Sequence, residues 1–452
     1  MRRLLVIALL VVTPLSVWSQ SLADRLQGIL DDSELTDRMV VGMQVADVET
    51  GEILFGRMAH NLLTPASNVK LYTSACALET YGPDHRFRTV VALDGEVNDG
   101  VLDGDLILTG DGDPILTSED LRGIAQRVHD ELGIRQIDGG VVVDDSRVAQ
   151  DRKGPGWMWD DDPGRTNMSI ASLMLDYNVL RATAANGTPM LEPPSDYPPA
   201  EHHAANGETS ISRWPFRDVI EVHGDGAASA VMGMHDPATW IGHVFTRMLE
   251  DAGVDVEDDP LVETDPLELE AALVHESKPM SEILPLFNKP SENAIGEMLI
   301  LSFASRQGER PATWRTGARA MGTWLTQTAG LTEDDFRLVD GSGLSRYNLI
   351  CASGAVKLLR HMWQSPNRQV YIDSLPIMGG DGTLGGRGAS LNTGSVHAKT
   401  GTMSGVSALS GYVETAQGRW LVFSILTNGF IGSSSPSRAL QDRLCAAMAA
   451  GG

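Results

Sequence analysis

Ser67 and Lys70 stand three residues apart in the run Ser67-Asn68-Val69-Lys70, at the head of an apolar stretch from Leu71 to Tyr81. On a helix, positions i and i+3 share a face, so the hydroxyl and the amine meet there. A hydroxyl beside an amine is a nucleophile with a base at hand, which is what acyl transfer needs. A helix N-terminus adds backbone N–H groups and the positive end of the helix dipole where an oxyanion develops. Serine is also a common N-cap, and taken alone that role accounts for Ser67. The chain holds only six lysines, however, and Lys70 alone among them has a serine at this spacing.

Two later clusters bear on the same chemistry. Ser291-Glu292-Asn293 follows Lys289-Pro290 and precedes an apolar helix. Alternate residues of an extended backbone point the same way, so Ser291 and Asn293 can face one cleft; both are equally ordinary capping residues. Lys399-Thr400-Gly401-Thr402 leads through Met403-Ser404-Gly405 into an alternating strand. On an edge strand it would set an ammonium and a hydroxyl beside a cleft, with Gly401 letting a substrate backbone come close. A surface lysine beside a turn is the plain alternative. Ser-x-x-Lys at a helix start, Ser-x-Asn on a loop and Lys-Thr-Gly on a late strand form, in this order, the motif set of β-lactamases and penicillin-binding proteins. The conjunction carries what no single motif does.

The elements that must position these motifs are legible at both ends of the chain. Val40–Asp47 and Ile53-Leu54-Phe55 flank the turn Glu49-Thr50-Gly51-Glu52 as a hairpin. Leu71–Tyr81 reads as a buried helix stopped by Gly82-Pro83. Beyond residue 280, helices are predicted over Ser291–Arg306, Pro311–Gly330, Ser353–Gln364 and Ser437–Ala450, with a hairpin of Val406–Val413 and Trp420–Thr427. Strands at both ends with helices between predict an α/β architecture: one sheet built from the two chain termini and covered by helices. Between them, residues 86–279 change texture. Short strands (Asp105–Thr109, Gly140–Val143), Gly/Asp turns and a helix over Ser118–Leu132 suggest an insertion of one or two small α/β units. Both motif-bearing ends lie outside it, so it is not expected to be needed to form the catalytic sheet.

Composition narrows the setting. The 452 residues are 42% hydrophobic and 21% charged, which suits a soluble globular chain of two or three domains. Arg2 and Arg3 before the apolar run Leu4–Val12 read as a signal peptide over residues 1–20, too short for the ~20 residues of a spanning helix. No cysteine sits near the cleavage region, so export without a lipid anchor is expected, to the periplasm or another extracytoplasmic space. A net charge of −25 disfavours a nucleic-acid partner, since phosphate binding needs a basic patch. Cys76, Cys351 and Cys445 form neither a disulfide framework nor a metal site; buried free thiols are expected, with one bridge left open. His202-His203 reads as a solvated pair in a Pro/Ala/Gly-rich loop, and Gly110-Asp111-Gly112-Asp113 as a turn rather than a calcium loop. No metal and no cofactor are expected.

The long separation of Ser67 from Ser291 exceeds what a compact β-lactamase would place there. From about residue 38 to 430 the chain resembles the class C low-molecular-mass penicillin-binding proteins, the D-alanyl-D-alanine carboxypeptidase/endopeptidase family. Beyond the three motifs, the likeness rests on Gly112-Asp113-Pro114-Ile115-Leu116, Trp157-Met158-Trp159-Asp160-Asp161, Asp340-Gly341-Ser342-Gly343-Leu344 and Gly382-Thr383-Leu384 with Arg387. Glu292 stands where Asp is common in that family, and glycines flank Arg387 where bulkier residues are frequent. The resemblance implies a transpeptidase-like domain in two parts, 21–85 and 280–452, interrupted by accessory domains at 86–279. It implies Ser67 as nucleophile and Lys70 as its base, neutral through burial beside Lys399. Ser291 would relay a proton to the leaving amine, and Asn293 would bind the substrate amide and orient Lys70. Lys399 and Thr400 would hold the substrate carboxylate, and the N–H groups of Ser67 and Thr402 the oxyanion. Peptidoglycan peptides are the implied substrates and β-lactams the inhibitors. A serine β-lactamase would need a residue to activate a deacylating water, and no glutamate stands in an obvious position for it. An esterase of this fold would usually not need the full Lys-Thr-Gly site. A peptidoglycan-binding scaffold would not need the complete set of reactive side chains.

Overall fold

Seven of the eight residues of Val40–Asp47 are buried, the mark of a strand covered on both faces. In the computed structural model, which describes residues 21–205, 207–388 and 394–451, this strand lies inside a five-stranded antiparallel sheet. The order is Val396–Met403, Val406–Glu414, Trp420–Asn428, Val40–Asp47, Ile53–Arg57, so both chain ends contribute to one sheet, as expected. The leader read over residues 1–20 lies outside the described residues.

Side chains alternate between two cores with the period of two that a strand imposes. On Trp420–Asn428, Leu421, Phe423 and Ile425 pack with the terminal helices Leu22–Asp31 and Ser435–Ala449, through Leu26, Leu30, Leu440 and Leu444. Val422 and Leu426 of the same strand face the helical core, with Leu358 and Leu359 of the helix Ala352–Gln364. At the centre of that core runs the helix Val69–Tyr81, apolar on nearly all sides and ended by Gly82 at φ +86. The sheet edge formed by Val396–Met403 packs against the turn that precedes this helix, which brings the third motif to the first.

Some elements differ from the sequence expectation. The helix expected from Ser291 begins at Asn293, because Ser291 takes a left-handed φ of +66 and the Glu292 side chain accepts from the Asn293 N–H at 3.1 Å. Helices over Leu22–Asp31, Pro237–Asp251, Met280–Asn288 and Arg368–Ser374 were not read; Met280–Asn288 carries Pro285 internally, which masks its pattern. His202 and His203 are not loop residues but end the strand Ala200–His203, paired in parallel with Ile220–His223. They also have acidic partners: His202 Nε2 lies 3.0 Å from Asp225, and the ligand-capable atoms of His203, Glu201 and Glu221 lie within 4.8 Å of one another. All three cysteines are buried free thiols. Among the described residues, no helix is long and apolar enough to cross a membrane.

Residues 86–279 build sheets and a core of their own. The long hairpin Arg88–Asn98/Val101–Gly110 anchors a seven-stranded sheet, and two three-stranded sheets stand beside it. Its apolar core joins Leu121, Val128, Trp240 and Phe245 from the helices Ser118–Asp130 and Pro237–Asp251. Arg213, with a wholly buried side chain, donates to both oxygens of the buried Asp162 at 2.9 and 3.0 Å. Its other N–H groups reach the carbonyls of Gly233, Trp214 and Arg217. Removing Asp162 leaves the buried Arg213 with Asp218 at 3.7 Å as its remaining acidic partner, so Asp162→Ala is expected to lower stability by about 3 kcal/mol, the low end for breaking a buried pair. Denaturant unfolding followed in parallel with penicillin binding checks this; an unchanged midpoint contradicts it.

Candidate active site

Ser67 sits on the 3-10 turn Ala66–Asn68 that leads into the helix Val69–Tyr81. Ala66 just before it has φ +47, a left-handed conformation that costs a non-glycine residue about 1–3 kcal/mol and persists only where the surroundings enforce it. Three contacts enforce it here. The Asn68 amide donates to the Lys399 carbonyl at 2.9 Å. Gly401 lies so close that a Cβ there would stand 2.5 Å from the Pro65 carbonyl oxygen and 3.1 Å from the Ser67 nitrogen. Gly343, at φ +87, presses from the other side, where a Cβ would overlap the Ala66 carbonyl.

Lys70 is fully buried, and its Nζ lies 2.8 Å from Asn293 Oδ1, 2.8 Å from the Ser342 carbonyl and 3.2 Å from Ser67 Oγ. A neutral amine has two hydrogens and one lone pair. The two pure acceptors take the hydrogens, which leaves the lone pair to accept the Ser67 O–H. Burial pulls the Lys70 ammonium down to about 8, although Glu297, Asp340 and Glu292 favour its charge. Lys399 is also fully buried and donates to Ser291 Oγ at 2.9 Å and to the Thr400 carbonyl at 3.0 Å. Burial, and then the neighbouring Lys70, push it well below the ordinary lysine range. Two buried ammonium groups this close oppose one another, so charging either one disfavours charge on the other.

The residues singled out from the sequence therefore meet in two linked clusters. Ser67, Lys70 and Asn293 form one; Ser291 and Lys399 form the other; Asn68 and Gly401 join them. Thr400 and Thr402 follow on the edge strand, the first with its hydroxyl 2.7 Å from that of Thr383, the second exposed. Ser291 is left-handed as Ala66 is, so two of the strained non-glycine positions lie at the site, one in the second motif and one next to the nucleophile.

Other participants lie outside the three motifs. Glu297, wholly buried on the helix Asn293–Arg306, accepts from Trp314 Nε1 at 2.7 Å, the Ser342 N–H at 2.9 Å and the Gly341 N–H at 3.4 Å. Asp340, also buried, accepts from the N–H groups of Gly343 and Ser345 at 2.8 and 2.6 Å, from Asn348 at 2.7 Å and from Trp157 Nε1 at 3.1 Å. The signal for Glu297 was present: it is the one charged residue in the apolar run Ala294–Ala304. Residues of the 86–279 segment reach the cleft as well. The Thr166 carbonyl accepts from the Asn293 amide at 3.0 Å, and Arg165 pairs with Glu292 at 2.9 Å. The five-stranded sheet itself draws on no residue of that segment, but the second motif is held partly by it.

Residues 22–449 match the model of the D-Ala-D-Ala carboxypeptidase 3 (S13) family. The chain is 35% identical to the D-alanyl-D-alanine carboxypeptidase of Actinomadura sp. (strain R39), over 95% of this chain and 84% of that protein. Its fold is that of penicillin binding protein 4 (dacB) from Haemophilus influenzae, with a TM-score of 0.81 over 94% of this chain and 99% of the other, at 24% identity. A second structure of that protein, in complex with a β-lactam, gives a TM-score of 0.77 at 22% identity, over 93% and 97% of the two chains.

Proposed function

Because the chain belongs to the D-Ala-D-Ala carboxypeptidase 3 (S13) family, we propose that it cleaves the terminal D-alanyl-D-alanine bond of peptidoglycan stem peptides through an acyl-enzyme on Ser67, and that β-lactams trap it as the acyl-enzyme. The observation that carries this reading is the Lys70 amine, buried, drawn toward neutrality and within hydrogen-bonding distance of a hydroxyl on a strained turn.

Ser67 Oγ attacks the carbonyl of the penultimate D-alanine while its proton passes to Lys70. Ser291, bonded to Lys399, gives its proton to the departing amine as the C–N bond breaks, and the proton that Lys70 took from Ser67 replaces it on Ser291. The backbone N–H groups of Ser67 and Thr402 stabilise the oxyanion, each such donor contributing about 10²–10³ in rate. The substrate carboxylate settles beside Thr400 and Lys399. Its negative charge favours the ammonium form of Lys399, and an ammonium there in turn disfavours charge on Lys70. Substrate arrival thereby assigns the roles: Lys399 charged as anchor, Lys70 neutral as base. Asn293 spends one side-chain N–H on Thr166 and keeps the other for the substrate amide. Residues 21–85 and 280–452 act as the catalytic domain and 86–279 as accessory domains. A leader at residues 1–20 would deliver the protein to the peptidoglycan outside the cytoplasm.

Incubating the protein with a stem pentapeptide ending in D-alanyl-D-alanine tests the activity. Release of one D-alanine, abolished by penicillin pretreatment, is expected. Intact pentapeptide under conditions where the protein is folded contradicts the proposal.

A further inference from the structure

The loop Asp340-Gly341-Ser342-Gly343 lies across the back of the nucleophile, and its position is set by two buried carboxylates. Its Ser342 carbonyl accepts from Lys70, its Gly343 packs on Ala66, and its Gly341 carbonyl accepts from Thr73 on the nucleophile helix at 2.7 Å. Glu297 receives the N–H groups of Gly341 and Ser342 from below, and Asp340 receives that of Gly343. The donors to these carboxylates are mostly N–H groups, joined at Glu297 by the Ser342 side chain, and two are indoles, Trp314 on Glu297 and Trp157 on Asp340, whose rings meet edge to face at 5.9 Å.

We propose that Glu297 is a positioning residue of this enzyme: its carboxylate pins the Ser342 carbonyl onto the Lys70 amine and supplies the negative charge that the amine works against. The inference rests on Lys70 being the base of the acylation step.

N–H donors stabilise a carboxylate in its ionised form, since a protonated acid would oppose one donor with its own O–H. Burial and the neighbouring Asp340 act the other way and push Glu297 up, and burial pushes Asp340 up as well. The donors favour the charged form, but on balance Glu297 is pushed up to about 8, so it carries its full charge only on the alkaline side of that value. The groups that bear on Lys70 are then Glu297 from the following helix, Asp340 from the loop, Glu292 before the helix and Lys399 from the edge strand; the Phe287 ring lies 5.7 Å from Nζ. The three carboxylates favour the ammonium and so raise the pH at which Lys70 becomes a base. Lys399 and burial lower it. Glu297 thus trades intrinsic reactivity of the amine for a fixed location, and its removal has opposite effects on the two.

Acylation of full-length protein by a fluorescent penicillin, measured from pH 5 to 10, separates them. In the native protein the rate rises with pH as Lys70 loses its proton. In Glu297→Gln the limb is expected to move acidward by about one to two pH units, the size expected for losing one charge roughly 6–12 Å away at an effective dielectric near ~20. The plateau is expected to fall about tenfold as the Ser342 carbonyl loses its anchor, the scale of a ~1.4 kcal/mol loss in the barrier. Glu297→Asp, which keeps the charge, is expected to leave the limb in place. Trp314→Phe removes one donor while keeping the carboxyl; it is expected to shift the limb in the same direction by less, and serves if Glu297→Gln does not fold. A lowered plateau with an unmoved limb in a folded Glu297→Gln, or in Trp314→Phe where that is the variant that folds, overturns the proposal and leaves Glu297 a structural residue. Absence of a Lys70-dependent limb in the native protein defeats the assignment of the base instead.

Discussion

Lys70→Arg is expected to slow β-lactam acylation by about a thousandfold, within the ~10²–10⁴ that a positioned general base contributes. The guanidinium brings N–H donors but a permanent positive charge: it stays protonated at any accessible pH and offers no lone pair to Ser67. Its planar fork also cannot replace a compact amine in a wholly buried site flanked by Lys399. Stopped-flow measurement of acylation, with thermal unfolding as the check on integrity, gives the result. Lys399→Arg is the control, since a permanently charged group suits an anchor for a carboxylate and part of the acylation should survive. Acylation by Lys70→Arg near the native rate would mean that another group takes the Ser67 proton.

Gly343→Ala is expected to damage the site from behind without touching any motif. The position needs φ +87, and the added Cβ would overlap the Ala66 carbonyl at the residue before the nucleophile. Backbone atoms on both sides cannot swing away as a side-chain tip can. The left-handed conformation and the overlap together are expected to cost about 3 kcal/mol of stability. Acylation is expected to fall at least a hundredfold, because a displacement near 1 Å of a reacting group costs about that much. A variant that unfolds at the native temperature and acylates at the native rate contradicts the contact.

The site residues differ in how far a local pattern reveals them. Ser67 and Lys70 were readable because an i,i+3 spacing at a helix start is a local property, and the sheet because strands of period two stand at both chain ends. The start of the second motif's helix was misread at Ser291, since its left-handed φ reflects what surrounds it rather than any local preference. Glu297 was hidden by a different cause. A lone acid in an apolar helix signals burial, but its donors come from Trp314 and from the Gly341-Ser342 backbone, and no spacing rule reaches that far. Thr166 is harder still, because it acts through its backbone carbonyl, which every residue possesses. The histidines of the strand Ala200–His203 read as loop residues because Pro and Ala crowd the flank of a four-residue strand whose partner lies beyond an intervening one.

The nucleophile is the claim on which the rest depends, and peptide mapping of the acyl-enzyme addresses it directly. Full-length protein labelled with a fluorescent penicillin, then denatured, digested and analysed by mass spectrometry, is expected to carry one adduct, on Ser67, and Ser67→Ala is expected to carry none. An adduct on any other residue, or undiminished labelling of Ser67→Ala, would contradict the assignment of Ser67 and Lys70 as nucleophile and base.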